Sequence, residues 1–233
     1  MTMNIPQHPS SPSSRPERKR VMVVDDHPLM RSGLTQLINQ QAGLEVCGEA
    51  GGPAEAIGRI PKCRPDLIVA DITMKEGNGL EFIKNVLAVH GNVSILVVSM
   101  HDETIYAERA LRAGACGYIM KEESADCLVA AIQRVLDGGV YLSETMSGRL
   151  LKSITNSKSR GTQSPLQKLT DREFEVFQLI GRGNSTKEIA DQLHLSPSTV
   201  DVHRAHIREK LHLKSATALV YHAVQWVGTE TSD

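Results

Sequence analysis

From Arg20 to Asp137 short apolar runs alternate with helical stripes, five times over, and that alternation leaves few folds open. Residues 21–24, 44–50, 67–70, 94–100 and 117–120 read as strands. Residues 28–40 read as a helix with Leu29, Leu34, Leu37 and Ile38 as its stripe, and 125–137 as one carrying Leu128, Ala131, Ile132 and Val135. Shorter helices are expected over 54–60, 79–90 and 104–113. The run Leu67-Ile-Val-Ala70 is unbroken and rich in β-branched residues, as in a strand covered on both faces. Strands linked through helices run parallel with right-handed crossovers. The expectation is an α/β, flavodoxin-like, doubly wound five-stranded parallel sheet of order 2-1-3-4-5.

Open α/β sheets place functional groups at the carboxyl ends of their strands. Here those ends carry Asp25-Asp26, Asp71, Ser99 and Lys121, on strands expected to be neighbours. Alone, each reads as an ordinary strand-end residue. Together, three carboxylates on one rim repel unless a cation neutralises them, and Mg²⁺ takes carboxylates, waters and a phosphate oxygen. Lys121 and Ser99 suit phosphoryl oxygens, which leaves Asp71 as the nucleophile of an acyl-phosphate chemistry.

Residues 1–18 are Pro/Ser-rich, then basic, and are expected as a disordered tail. No signal-peptide core follows them, and no apolar run approaches the ~18 residues that span a membrane. The four cysteines, Cys47, Cys63, Cys116 and Cys127, lack metal-like or CxxC spacing. They read as small buried hydrophobes, reduced in a cytoplasm. Charge does not argue for nucleic acid: 16 basic face 18 acidic residues up to position 155, and 10 face 9 beyond it.

The first domain is assigned to 19–138, and a helix and flexible linker to 139–168, where 155–168 is polar and pattern-free. Beyond it, 169–230 is helical throughout, an all-α domain of four helices. Thr170-x-x-Glu173 and Ser185-x-x-Glu188 are capping boxes, and Ser196-Pro197 opens a third helix. That third helix buries Val200, Ile207 and Leu211 and exposes Asp201, Val202, Ala205, His206 and Glu209. Two short helices with a tight turn and an exposed second face make a helix-turn-helix.

The set Asp25-Asp26, Asp71, Ser99, Lys121 and Gly77-Asn-Gly79-Leu80-Glu81 resembles a response-regulator receiver domain over roughly residues 20–137. The resemblance implies phosphorylation of Asp71 by a sensor histidine kinase. It implies Mg²⁺ on Asp25, Asp26, Asp71 and the Thr73 carbonyl, with Ser99 and Tyr118 as switch residues. Leu169-Thr-Asp-Arg-Glu-Phe-Glu-Val176, Ser185-Thr-Lys-Glu-Ile-Ala190 and Leu195-Ser-Pro-Ser-Thr-Val-Asp-Val-His203 resemble the LuxR-type DNA-binding domain of NarL/FixJ regulators. That implies a recognition helix aiming Asp201, Val202 and Ala205 at a major groove, with Lys187, Ser198, Thr199, Arg204 and Arg208 as further DNA contacts. A homodimer on a two-fold operator is expected, with Ala218, Leu219, Ala223 and Trp226 of the last helix in its interface and RNA polymerase as a further partner. Lys75 replaces a usual proline, and Asp201 a frequent lysine. The competing reading, an Asp-nucleophile phosphatase, would place a second Asp two residues after Asp71, where Thr73 stands. A dedicated enzyme is therefore not expected. A degenerate receiver is disfavoured by the intact Asp25, Asp26, Asp71 and Lys121.

Overall fold

A computed structural model describes residues 18–74, 78–155 and 165–230. The tail before Arg18, Lys75 and residues 156–164 lie outside the described residues. Strands β1 (Lys19–Val24), β2 (Leu44–Ala50), β3 (Leu67–Ala70), β4 (Ser94–Ser99) and β5 (Gly117–Met120) form one parallel sheet in the order β2-β1-β3-β4-β5. Helices α1 (Pro28–Asn39), α2 (Pro53–Cys63), α3 (Gly79–Val89), α4 (Glu103–Ala113) and α5 (Ala125–Leu136) connect and follow the strands. The residues of β3 are at most 1% exposed, as an all-apolar central strand requires.

Two local readings are corrected. Leu29 is 88% exposed. The α1 stripe runs instead through Met30, Leu34, Leu37 and Ile38, spaced four, three and one apart on one face. α2 continues past Ile60 through Pro61 and stops at Arg64, whose φ of 43° is left-handed. Pro61 lies in the last turn and has no N–H to give the Ile57 carbonyl, so α2 forgoes one hydrogen bond near its end.

The second half holds α6 (Glu144–Thr155), a 3-10 turn (Pro165–Lys168), α7 (Asp171–Gly181), α8 (Thr186–Leu193), α9 (Pro197–Lys210) and α10 (Ala216–Glu230). Both capping boxes form, and the Ser196 side chain accepts from the Thr199 N–H. Such caps satisfy N–H groups that a helix start leaves unpaired, worth about 1 kcal/mol each. The flexible-linker reading fails at its end: Leu166, within the 3-10 turn, is 5% exposed and belongs to the core. The dimer reading of α10 also changes. Leu219 and Ala223 are fully buried and Trp226 packs its ring on Phe174 and Phe177 of α7, whereas Val220, Tyr221 and Val224 are exposed. α10 carries two apolar faces, and the one with Leu219, Ala223 and Trp226 is spent on its own domain.

Candidate functional site

β1 and β3 end level, Val24 pairing Ala70, while β4 runs two residues past Val97, the partner of Ala70, to Ser99, which pairs Met120 at the end of β5. The residues just beyond are therefore brought to one rim. The Asp71 N–H donates to the Val24 carbonyl at 2.8 Å and the Lys121 N–H to the Ser99 carbonyl at 2.8 Å, which extends the ladder to the functional residues. The loop after Asp71 is held close by Gly79, where a Cβ would lie 2.3 Å from the Ile72 Cα. Asn78 caps α3, accepting from the Leu80 and Glu81 N–H groups.

Lys121 Nζ lies 2.6 Å from Asp25 Oδ2 and 2.7 Å from Asp71 Oδ2, with all three side chains buried. Asp25, Asp26, His27 and Asp71 each offer a ligand atom, and these lie within 4.8 Å of one another. Burial raises the Asp71 pKa more than Lys121 lowers it, and Asp25 adds to the rise. Burial works against the Lys121 ammonium, but Asp71 and Asp25 outweigh it and hold its pKa above the usual lysine range. Three carboxylates against one ammonium is a donor set suited to a hard divalent cation. Thr73 donates its N–H to Asp71 Oδ1 at 2.9 Å, fixing the carboxylate's orientation.

Ser99 and Tyr118 are fully buried and meet on one residue. Ser99 Oγ accepts from the His101 N–H at 3.2 Å, and the Tyr118 hydroxyl donates to the His101 carbonyl at 2.7 Å. Sequence reasoning missed His27, whose Nδ1 is 2.8 Å from Asp26 Oδ1, and Arg31, which donates to the Asp25 carbonyl at 2.6 Å. Adjacency to Asp25-Asp26 was the available signal for His27; Arg31, one α1 turn further on, had none.

In the helical half, Ser198, Asp201, Val202 and Ala205 lie exposed on α9, and Lys187 on α8. Thr199, Arg204 and Arg208 are half-buried; Arg204 donates to Thr186 Oγ1 at 3.4 Å, so it braces the helix pair from its flank. Ser196 Oγ lies 2.7 Å from Ser198 Oγ and 2.8 Å from Thr199 Oγ1, a hydroxyl cluster at the α9 start. Below, buried Glu173 accepts from Lys210 Nζ at 2.6 Å and ties α9 to α7.

Residues 21–133 match the response regulator receiver domain, and residues 167–223 the bacterial regulatory proteins of the luxR family. The oxygen regulatory protein NreC of Staphylococcus carnosus is 32% identical over 210 residues, covering 88% of this chain and 97% of that protein. The chain is a NarL/FixJ-family response regulator. The transcriptional regulatory protein DegU of Brevibacillus brevis is 30% identical, covering 89% of this chain and 94% of its own length. RcsB of Salmonella enterica serovar Typhimurium, solved on promoter rprA with the phosphomimetic BeF₃⁻, shares the fold at a TM-score of 0.69. That match is 23% identical and covers 89% of this chain and 99% of that one.

In this response regulator the receiver docks on the DNA-binding domain. Arg109 of α4 is 5% exposed; its guanidinium lies 4.3 Å from the Phe174 ring centre. Its Nη2 donates to the Leu166 carbonyl at 2.7 Å, and its Nη1 lies 3.2 Å from Asp171 Oδ1. Gln178 donates to the Tyr106 hydroxyl, and Gln167 to the Thr104 carbonyl at 3.0 Å. The His101 ring stacks on Tyr106 at 4.7 Å, Tyr106 meets Phe174 edge-on at 5.3 Å, and Phe174 meets Trp226 at 5.3 Å. An aromatic row thus runs from the residue held by Ser99 and Tyr118 to α10. The seam is not fully closed: a cavity of about 530 Å³ lies between the domains, lined by Thr73, Asn78, Phe174, Gln178 and Arg182 among others.

Proposed function

We propose that Asp71 is the phospho-acceptor of this transcriptional regulator and that phosphorylation acts by promoting dimerisation on DNA. The observation that carries the first half is Lys121, bridging Asp25 and Asp71 at the strand ends. Asp25, Asp26, Asp71 and the Thr73 carbonyl would hold Mg²⁺, which when bound neutralises charge on the transferring phosphoryl group. An Asp71 oxygen attacks the phosphorus of a sensor kinase phosphohistidine; the P–N bond breaks and the electron pair returns to the imidazole. Lys121 stays paired with the new phosphate through its freed contact. Ser99, drawn toward the added charge, lets go of the His101 N–H, and Tyr118 follows on the carbonyl side of the same residue. The row through Tyr106 and Phe174 then carries the change to the interdomain seam.

The dimer reading rests on exposure. The docked receiver leaves the Asp201, Val202 and Ala205 face uncovered, so covering that face is not how the resting protein is restrained. Val220, Tyr221 and Val224 of α10 provide an exposed apolar strip for a two-fold partner. Acetyl phosphate with Mg²⁺ is expected to raise affinity for a selected operator on the order of 5–150-fold, alongside a monomer–dimer shift in sedimentation. Equal affinities with and without phosphodonor would rule the proposal out.

Asp201 is proposed to discriminate bases and not to add affinity. A carboxylate can accept from cytosine N4 in the major groove, while near phosphates it costs binding. Its helix-dipole contribution, at most about 0.3–1 kcal/mol, fades beyond the first turn. Asp201→Ala should strengthen non-specific binding and relax preference at one operator position by roughly 1–3 kcal/mol. Selection from randomised DNA returning the parental preferences would leave only the dipole role.

A further inference from the structure

The four cysteines are half-buried, where full burial was expected, and Cys47, Cys116 and Cys127 pack against the core. Cys47 and Cys63 lie near each other. The β1–β2 register slips between Val21↔Val46 and Met22↔Gly48, which makes Cys47 the extra residue of a β-bulge. The bulge changes which way the strand faces: Leu44 and Val46 pack with the cluster on one side of the sheet, while Ala50, four residues beyond Val46, packs with the cluster on the other. Cys47 lies on the Ala50 side, where Ala56 and Ile60 of α2 also lie. Cys63, in the last turn of α2, reaches back to the same place. A Cβ on Gly48 would lie 2.5 Å from Cys63 Sγ, so the sulfur occupies the space a side chain beside Cys47 would fill. The Cys63 thiol lies close enough to Cys47 to help raise the Cys47 pKa, second only to burial.

We propose that Cys47 and Cys63 are a redox-modification site, a dithiol that closes to an intramolecular disulfide by exchange with a low-molecular-weight disulfide. One protein thiolate, assigned here to Cys63, attacks a sulfur of the reagent; the reagent S–S bond breaks and its first half leaves as a thiolate, which takes up the proton. Cys47, deprotonated, then attacks Cys63 Sγ; the protein S–S bond forms and the second half leaves. The dithiol loses two electrons, and the reagent becomes two thiols.

The surroundings set the tempo. Burial, with Cys63 next, pushes the Cys47 thiol up to about 11. A thiol so rarely ionised attacks slowly, and it is also a poor leaving group when the disulfide is reduced through Cys63. The bridge is thus slow to form and slow to open. Its place limits what it can affect. Arg20 donates to the Cys63 carbonyl, to Glu45 and, through its N–H, to Asp66, so the bridge adds to a clamp at the start of β1 and β3. Asp25 and Asp71 lie at the opposite ends of those strands. The modification therefore stabilises the receiver and leaves the phosphoryl chemistry alone. It stands on thiol geometry and survives if the phosphorylation reading fails.

The test incubates the folded full-length protein with glutathione disulfide and follows thiol titration, peptide mapping and melting. The expected product has lost two thiols and about 2 Da, with one peptide pair joining Cys47 to Cys63. The crosslink closes a loop of about 15 residues and should raise the melting temperature by roughly 5–10 °C. Cys47→Ser and Cys63→Ser should each lose the bridge and the melting shift, while a Cys116→Ser/Cys127→Ser double variant keeps both. Uptake of phosphoryl groups from acetyl phosphate should be the same before and after oxidation. Four thiols surviving, lasting glutathione adducts on Cys47 or Cys63, or bridges between two chains would each overturn the proposal.

Discussion

Asp71→Asn is expected to remove phosphoryl uptake, lowering incorporation from acetyl phosphate by at least about 100-fold, because a carboxamide is not a nucleophile. The folded state should survive the change. Lys121 keeps its 2.6 Å contact to Asp25, and the Asp71 N–H bond to the Val24 carbonyl is a backbone bond that the substitution does not touch. Removing a buried, pKa-raised carboxylate beside another carboxylate also relieves repulsion, which offsets the lost contact to the ammonium. Intact-mass measurement should therefore show one acid-stable, base-labile phosphoryl group on the parent and none on a variant that melts normally. Undiminished incorporation in the variant would move the acceptor elsewhere.

The second large effect is expected from Arg109→Ala. Its guanidinium serves three partners at once, the Phe174 face, the Leu166 carbonyl and Asp171, from a nearly dry position. A desolvated cation–π contact is worth about 2 kcal/mol, and a hydrogen bond from a charged group about 1.5–3 kcal/mol. Less the cost of burying the cation in the parent, the docked arrangement should lose roughly 2–4 kcal/mol, a 30- to 1000-fold shift in the docked population. The Lys84–Asp171 pair, 2.6 Å apart but half-exposed, does not replace it, since exposed pairs contribute at most about 1 kcal/mol. Small-angle scattering should report a larger radius of gyration for the variant. Arg109→Lys, which keeps the charge but not the planar fork, should fall between. A scattering profile unchanged in Arg109→Ala would show that the seam is held by other contacts.

What the chain discloses before folding is what neighbouring residues decide. The apolar run at Leu67–Ala70, the capping boxes at Thr170 and Ser185 and the Ser196-Pro197 start all work within a few residues, and each reads directly. The strand-end set was legible too, because parallel order turns four local ends into one rim. The docking of Arg109 on Phe174 was not: it joins residues far apart in sequence, and neither has a local pattern that names the other. Leu166 was lost among polar neighbours for the same reason: it is buried in the core, and its carbonyl meets Arg109, far away in sequence. α10 misled in another way. Helical periodicity marks an apolar face but not its partner, and Leu219, Ala223 and Trp226 were claimed by α7 before any second chain could meet them.

The uncovered face of α9 has a kinetic consequence. If α9 is the reading helix, its exposure while the receiver is docked means that the protein need not wait for its signal before touching duplex DNA. On the proposed reading, weak, salt-dependent association through Lys187, Arg204 and Arg208 would let the unphosphorylated protein hop and slide along duplex DNA. If phosphorylation then pairs two such chains, as proposed, they would meet along a line instead of through a volume, with the slow part of finding an operator already completed. The delay between signal and transcription would then be set by phosphoryl transfer and pairing, with search time removed from the response.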